Sequence, residues 1–518
     1  MATSTTKEVK YNRFDGGFTE NQRDTSGYKV WYAENVLLSQ GLVTQTTNNK
    51  SENSDSYSSA YCVVKTIDTG GTVYGLGQDN ATNKDVSLYS TATEVSDTWA
   101  LVTNGTIATS LLKLADPFLL YNPTDGYIYL DGGNNYIARW ASGVMTSTYV
   151  AITGGMYGGI NWQGNMYGYQ GTGIYKITTA PAVTLMISVP AEQTIKQMIP
   201  HGNYMAIICS SATGISKMYL WDGVTTTTFS DIVEIGRGTV TGGNILDGDI
   251  YAVIGTDNYK ILRVMRYAGS GFQSVYNYYG RGNRAGTSLF TSPASTVKTY
   301  SGHLYFIAVG TRPDSTNTAI YEASLFRYGR TNPDSPYSLS CFKTFSSIKS
   351  VGGIAATNNG SNDFVIIESA VSQVQGQRTF AFIYGLAGAN TSTCYEQSTT
   401  YNTTEDTVAN SSGVLELPTF NAGNAHQQKE LKGVAVTTEF LPTAGTVVLK
   451  YRKDEELTWT TIYTNTTDSA VSHSATNIES TGVNLPTFKE IQFRIEFSGN
   501  AKLTGFKFKY EELEESSY

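Results

Sequence analysis

Gly126-Tyr-Ile-Tyr129, Gly164-Asn-Met-Tyr167 and Gly248-Asp-Ile-Tyr251 are three copies of one phrase: a turn glycine, a short step, then a strand of apolar and aromatic residues. It returns as Gly71-Thr-Val-Tyr74, Gly202-Asn-Tyr204 and Gly302-His-Leu-Tyr305, and in weaker form as Gly360-Ser-Asn-Asp-Phe364. Successive glycines lie 55, 38, 38, 46, 54 and 58 residues apart. A second phrase follows most copies, an aromatic strand ending at a polar turn: Arg139-Trp140-Ala-Ser-Gly143, Leu220-Trp221-Asp-Gly223, Arg266-Tyr267-Ala-Gly269 and Phe326-Arg-Tyr328-Gly329. Each period therefore holds a hairpin. Alternation such as Tyr127-Ile-Tyr-Leu130 has the period of a strand, not of a helix. Repeats of about 40–50 residues with several strands each are the sequence signature of propeller blades. A single blade cannot bury both its faces, whereas blades arranged radially cover one another. The expected fold is all-β: a β-propeller of about six or seven blades over residues 51–412. It is preferred to a long meandering sandwich and to a β-helix, whose rungs would be shorter and more even.

Composition agrees with strands and tight turns. Only 15% of the residues are charged, against about 25% in ordinary globular chains, while 51 of the 518 are glycine and 36 tyrosine. Helical bundles need Ala, Leu, Glu and Lys on their exposed faces, and this profile lacks that excess. A 40% hydrophobic share is enough for a core and excludes wholesale disorder. The net charge of −8 and the absence of a basic domain argue against a dedicated nucleic-acid binder. No run of about 18 apolar residues is present, so no membrane span is expected. The polar opening Met1-Ala-Thr-Ser-Thr-Thr-Lys-Glu8 carries no apolar signal-peptide core.

Residues 1–50 stand outside the repeat and are read as an N-terminal arm. A Ser-, Thr- and Asn-rich stretch from Thr391 to Ser412 ends the propeller, and residues 413–426 are read as a linker. Residues 427–518 are then an antiparallel β-sandwich closed by the acidic tail Glu511-Glu-Leu-Glu-Glu515. Its strands alternate cleanly. In Glu490-Ile-Gln-Phe-Arg-Ile-Glu-Phe497, Ile491, Phe493, Ile495 and Phe497 point one way and Gln492, Arg494 and Glu496 the other. This regularity predicts that residues from about 427 to 514 fold alone; Trp459 shares a strand face with Thr461 and Tyr463, and its truncation should cost about 3–5 kcal/mol if it is buried and be near neutral if it is a surface ring that stacks on a sugar or partner.

Catalytic motifs are missing. There is no HExxH, no GxSxG elbow and no phosphate-binding GxxxxGKS. His201 and His303 fall at blade turns. Asp222, Asp247, Asp249 and Asp257 fall there too, where hydrogen bonds to nearby backbone amides account for them without a glycosidase carboxylate pair. Tyr278-Tyr-Gly-Arg-Gly282-Asn-Arg284 lacks the strand–helix context of a dinucleotide site. Cys62, Cys209, Cys341 and Cys394 are dispersed, with no CxxC pair, so neither a disulfide framework nor a thiolate metal site is expected. The expectation is no enzyme, no cofactor and no metal. The tyrosine content leaves open stacking on sugars as well as packing between blades.

Phe14-Asp-Gly-Gly-Phe18 followed by Ala33-Glu-Asn-Val-Leu-Leu-Ser-Gln-Gly-Leu-Val43 resembles the opening of tailed-phage virion proteins, the nozzle or muzzle proteins of short-tailed phages and related minor tail proteins among them. In these an F-x-G-G arm and an A-x-N strand precede a β-propeller. Lys429 to Gly433, Lys450 to Asp454 and Trp459 are similar to the sandwich modules that often follow. The sequence departs from that pattern at Thr44-Gln-Thr46, where an R-x-G turn is common. The resemblance implies a structural tail protein, made in the host cytoplasm and located in the virion. It would form a homo-oligomeric ring such as a hexamer, contact other tail proteins, and contribute to the conduit for DNA ejection. Phe14, Gly16, Gly17, Phe18 and Asn35 would form its assembly arm, reaching a neighbouring subunit or closing the propeller on its last blade. The alternative is a receptor-binding, carbohydrate-recognising tail protein with a host surface glycan as partner; a glycan hydrolase is third.

Overall fold

The fold is described from a computed structural model covering residues 6–19, 23–24, 26–34, 36–39, 42–45, 50–52, 63–69, 72–78, 86–92, 100–107, 116–132, 135–256, 261–278, 297–313, 319–330, 333–346, 348–350, 353–358, 363–372, 379–385, 412–439, 441–442, 445–454, 456–465, 475–477, 485–499 and 501–513. Among these residues the chain forms strands and no helix. Asp257, Cys62, Cys394, His473 and the stretch from Thr391 to Ser411 lie outside them.

Seven sheets follow one another along the described chain. Val63–Asp68, Thr72–Gln78, Val86–Ala92 and Ala100–Ile107 form the first as an antiparallel meander. The same up-and-down order repeats in the sheets beginning at Leu119–Asn122, Tyr157–Trp162, Gln193–His201, Thr239–Leu246 and Lys298–Tyr300. The seventh is built on Asp363–Ser372 and Thr379–Gly385. Its outer strand is Lys50–Glu52, taken from ahead of the first blade, with Phe382 opposite Ser51. The first strands contact one another in a closed circuit. Val63–Asp68 meets Leu119–Asn122, and so on through Thr239–Leu246 and Lys298–Tyr300 to Gly353–Asn358, which returns to Val63–Asp68. This is a β-propeller of seven blades.

The repeated glycine phrase is the turn between the first and second strands of a blade. Gln163–Gly164, Asp247–Gly248 and Ser301–Gly302 each have two successive positive φ angles. That is the type I′ geometry, whose twist matches that of a two-stranded hairpin. The cores lie between blades, as radial stacking requires. In Tyr204–Ser211, Met205, Ile207 and Cys209 face Trp162, Tyr167 and Ile174 of the third blade. Ala206 and Ile208 on the opposite face meet Val240, Ile250 and Ile254 of the fifth. A strand buried on both faces reads as an unbroken apolar run, and Met-Ala-Ile-Ile-Cys is one. Tyrosines also fill the blades: Tyr127 and Tyr149 flank the Arg139 guanidinium at 4.9 and 4.5 Å from their centroids.

The chain divides into two compact units. One holds Asn49–Leu325 and Phe345–Asp406; the other holds Met1–Asn48, Phe326–Thr344 and Thr407–Tyr518. The division at 48/49 falls within two residues of the sequence boundary at 50, but the later unit takes in the chain from Thr407 rather than from 427, and the first 48 residues belong to it instead of standing apart as an arm. Gly413–Glu416, read as part of a linker, is a fully buried strand between Tyr32–Glu34 and Ile491–Ser498. With Thr446–Lys453 and Thr460–Asn465 these make a five-stranded sheet. The second sheet runs Val36–Ser39, Leu42–Gln45, Leu503–Glu512, Lys429–Thr438 and Ala475–Asn477, with Lys7–Tyr11 also pairing to Leu503–Glu512. Phe493 of the first sheet meets Phe506 and Phe508 of the second at 4.9 and 5.0 Å between ring centroids. The alternation of 490–497 is as read, except that Gln492 is buried too. Its amide donates to Leu417 O at 2.9 Å and its carbonyl accepts from Arg452 Nε at 2.8 Å.

Trp459 is not in that core. It precedes Thr460–Asn465, half-buried, with the Arg452 and Arg494 guanidinium groups 4.6 and 5.7 Å from its ring. Such contacts are worth about 0.5–2 kcal/mol, so Trp459→Ala should cost about 1–2 kcal/mol in a denaturant melt, not the ~3–5 of a core aromatic. A loss in that larger range would place the ring in the core after all.

Three carboxylates in this unit are held below their ordinary values. Burial pushes the Asp15 carboxyl up, but bonds from Arg13 at 2.9 Å and Ser335 Oγ at 2.8 Å outweigh it. Asp24 is likewise raised by burial and lowered further by Ser26 N and Thr19 Oγ1, each at 2.7 Å. Glu490 is lowered first by its two bonds from Arg23, at 2.8 and 3.0 Å. A carboxylate whose pKa is lower when folded stabilises the fold above its unfolded value and stops doing so as pH falls. Stability of this unit should therefore drop as pH falls from the unfolded values of 4.5 for Glu490 and 3.8 for the aspartates. A melting temperature for this unit that is flat from pH 6 to about 3 would contradict the linkage.

Candidate functional site

Where the first strands of successive blades converge, the propeller encloses a cavity of about 210 Å3. Four of those strands carry a β-bulge, with register shifts between Val63 and Lys65, Tyr157 and Ile160, Ile195 and Gln197, and Val240 and Gly242. A bulge adds a residue to one strand and re-aims the side chains around it. Three of the four bulged stretches contribute to the wall: Lys65, Gly158 to Ile160 and Gln197.

Asp116 anchors the site. It is buried, takes a positive φ of 51°, and enters the second blade through the bridge between Pro117 and Tyr157. One carboxylate oxygen accepts from Lys65 Nζ and the other from Tyr169 OH at 2.9 Å. Burial first, and then the charge of Asp116, hold the Tyr169 hydroxyl well above its ordinary pKa, so it remains a donor at neutral pH. Gln197 and Asn244 are tied to the backbone. The Gln197 carbonyl accepts from Val297 N at 3.0 Å and Gly243 N at 3.2 Å, its amide donates to Val297 O at 3.0 Å, and Asn244 Nδ2 donates to the same oxygen at 2.9 Å. Lys196, inside the fourth blade's bulge, is pulled below the ordinary lysine value by burial and partly restored by the charge of Asp116. Lys298 completes the wall. The charged and hydroxyl groups of the wall are two lysines, Lys65 and Lys298, the Asp116 carboxylate and the Tyr169 hydroxyl, with Lys196 adjacent in the chain to the lining residue Gln197.

The residues expected to form the arm lie elsewhere, in the other unit. Phe14 and Phe18 are fully buried. Phe18 N donates to Leu339 O at 3.0 Å, and Val30 N to Gly17 O at 2.9 Å. Gly17 has φ +63°, and a Cβ there would stand 2.6 Å from both Leu339 O and Ser338 Cβ. A Cβ on Gly16 would run into the Tyr28 ring. The Gly-Gly pair is thus explained by close backbone approach within this chain. Asn35 lies outside the described residues. The strand that closes the propeller on its last blade is Lys50–Glu52. Of the turn carboxylates, Asp222 accepts from the amides of Val224 and Thr225 at 2.9 and 2.8 Å, and Asp249 pairs with Arg266 at 2.6 Å. Cys209 and Cys341 are both buried. No group of metal-ligating side chains is found among the described residues, nor any helix long and apolar enough to cross a membrane.

No family model and no curated protein matches the chain. Solved structures do. The WD40 β-propeller domain of Doa1 is 11% identical with a TM-score of 0.40, over 64% of this chain and 94% of that one. The N-terminal domain of Nup159 is 9% identical with a TM-score of 0.36, over 68% and 91%. BBS1N, solved in complex with ARL6DN, is 12% identical with a TM-score of 0.36, over 67% and 97%. The likeness is one of fold alone.

Proposed function

We propose that the protein is a structural component of a phage tail, of the ring-forming nozzle or baseplate kind, contributing to the genome conduit. The observation that carries this reading is the segment bearing the resemblance. Phe14-Asp-Gly-Gly-Phe18 is a built seat, buried and glycine-dependent, and the strands after it are woven between those of the C-terminal unit. With the arm engaged in its own chain, contacts between copies fall to the blade perimeter. Leu101, Val144, Leu185 and Ile232 stand half or more exposed there, each on the outermost strand of one of the first four blades. Negative-stain images and mass photometry of the full chain test the reading. Closed rings that are lost in Val144→Asp with Leu185→Asp support it; a protein that stays monomeric up to roughly 100 μM, near the weak end of specific association, overturns it.

A further inference from the structure

We propose that Lys65 and Asp116 condense to an isopeptide bond, a covalent cross-link between the first blade and the chain entering the second. This goes beyond the assembly role and does not depend on it. Lys65 lies at the bulge of Val63–Asp68 and Asp116 at the head of the next blade, so the bond would close the loop from 65 to 116. The two side chains are only 13% and 7% exposed. A buried ion pair is expensive to keep, because desolvation of both charges can exceed their attraction. A neutral amide is far cheaper to bury than either ion. Asp116 takes a positive φ of 51°, and its carbonyl accepts from Gly158 N at 2.9 Å. A residue with a side chain persists in that conformation only where its surroundings fix it, as they do at functional sites. Gly158 makes room for the third member. A Cβ there would lie 2.7 Å from the Tyr169 ring, whose hydroxyl donates to Asp116 Oδ2 at 2.9 Å.

Holding two reacting groups in contact removes the cost of bringing them together. The proton on Lys65 Nζ passes along its hydrogen bond to Asp116 Oδ1, leaving an amine against a carboxylic acid. The nitrogen lone pair then adds to Cγ. Tyr169 donates to Oδ2 as that oxygen takes up negative charge, and burial keeps the hydroxyl protonated. Oδ1 leaves as water with a second proton from the nitrogen, and Oδ2 becomes the amide oxygen. One C–N bond forms, one C–O bond breaks, and no oxidant or cofactor is consumed. The cavity of about 210 Å3 that these three side chains line has room for the released water.

Mass spectrometry of the full chain, folded and then denatured, tests this. The expected mass is that of the sequence less one water. A protease digest should yield a branched peptide joining the segment of Lys65 to that of Asp116. Lys65→Arg keeps the positive charge but is too weak a nucleophile, and it should restore the full mass, as should Asp116→Ala. Tyr169→Phe keeps the ring and removes the donor. In a time course after synthesis it should slow the link about a hundredfold or more, the effect of losing one oxyanion donor. A wild-type mass equal to that of the sequence overturns the proposal. So does a water loss that persists in Lys65→Arg, which would place the dehydration at an Asp-Gly turn instead. An unchanged rate in Tyr169→Phe overturns the part given to that hydroxyl.

Discussion

Residues 427–518 expressed alone are expected to be unfolded or aggregated, and a chain lacking residues 1–48 to lose the C-terminal unit. Sequence alternation pointed to an independent module, but the sheets need strands that the module does not contain. Lys7–Tyr11, Val36–Ser39 and Leu42–Gln45 belong to one sheet, Tyr32–Glu34 and Gly413–Glu416 to the other. Without them Leu503–Glu512 loses its pairing with Lys7–Tyr11 and Leu42–Gln45, and Ile491–Ser498 loses Gly413–Glu416. Both become bare, apolar edges, which invite association between chains. The buried rings of Phe14 and Phe18 would go as well, at about 3–5 kcal/mol each, against a total stability of roughly 5–15 kcal/mol for an ordinary domain. Circular dichroism and a denaturant melt of the isolated piece decide the matter. A soluble fragment with a cooperative transition would show that the N-terminal strands are ornament.

What was legible in the sequence was local. The glycine phrase marks a turn whose geometry requires positive φ, so the hairpins, their aromatic strands and the radial stacking follow from residues close together in the chain. The alternation of 490–497 likewise gives one strand and its faces. What was not legible was non-local. Nothing within Lys-Glu-Val-Lys-Tyr11 says that its partner is Leu503–Glu512, some five hundred residues on, because a two-faced strand pattern fixes which side is buried but not against what. The Gly-Gly at 16–17 signalled a special backbone, yet only the Leu339 carbonyl and the Tyr28 ring against it show why. Trp459 sits among alternating neighbours, and two arginines, Arg452 and Arg494, hold its ring. The cavity left a trace that motif reading passes over. Its two lining lysines, Lys65 and Lys298, each stand a few residues ahead of a turn glycine in the first strand of a blade. Recurrence in equivalent strands places such residues on one ring, although no two are near in sequence.

Two aromatic truncations should separate the units. Trp221 is the largest fully buried side chain among the described residues. It meets Trp162 at 5.9 Å and Tyr167 edge-on at 5.7 Å, and its indole N–H donates to Thr225 O at 2.6 Å. Trp221→Ala would leave a cavity between the third and fourth blades and an unpaired carbonyl, a loss of about 3–5 kcal/mol. Phe18→Ala removes a similarly buried ring from the other unit, with a similar cost. Because each unit has its own core, calorimetry of the full chain should resolve two transitions, with Trp221→Ala lowering the propeller's and Phe18→Ala lowering only the other. The competing expectation comes from connectivity. The chain passes between the units at 48/49, 325/326, 344/345 and 406/407, and so many crossings restrict each unfolded unit whenever the other is intact. Restriction of that kind acts on the entropy of the unfolded segment and grows only slowly with its length, whereas the lost aromatic packing is felt in full by the unit that loses it. The local term therefore wins, and each substitution should move one transition by several degrees while leaving its neighbour in place. A single transition displaced equally by both substitutions would mean that the crossings bind the two cores into one cooperative unit.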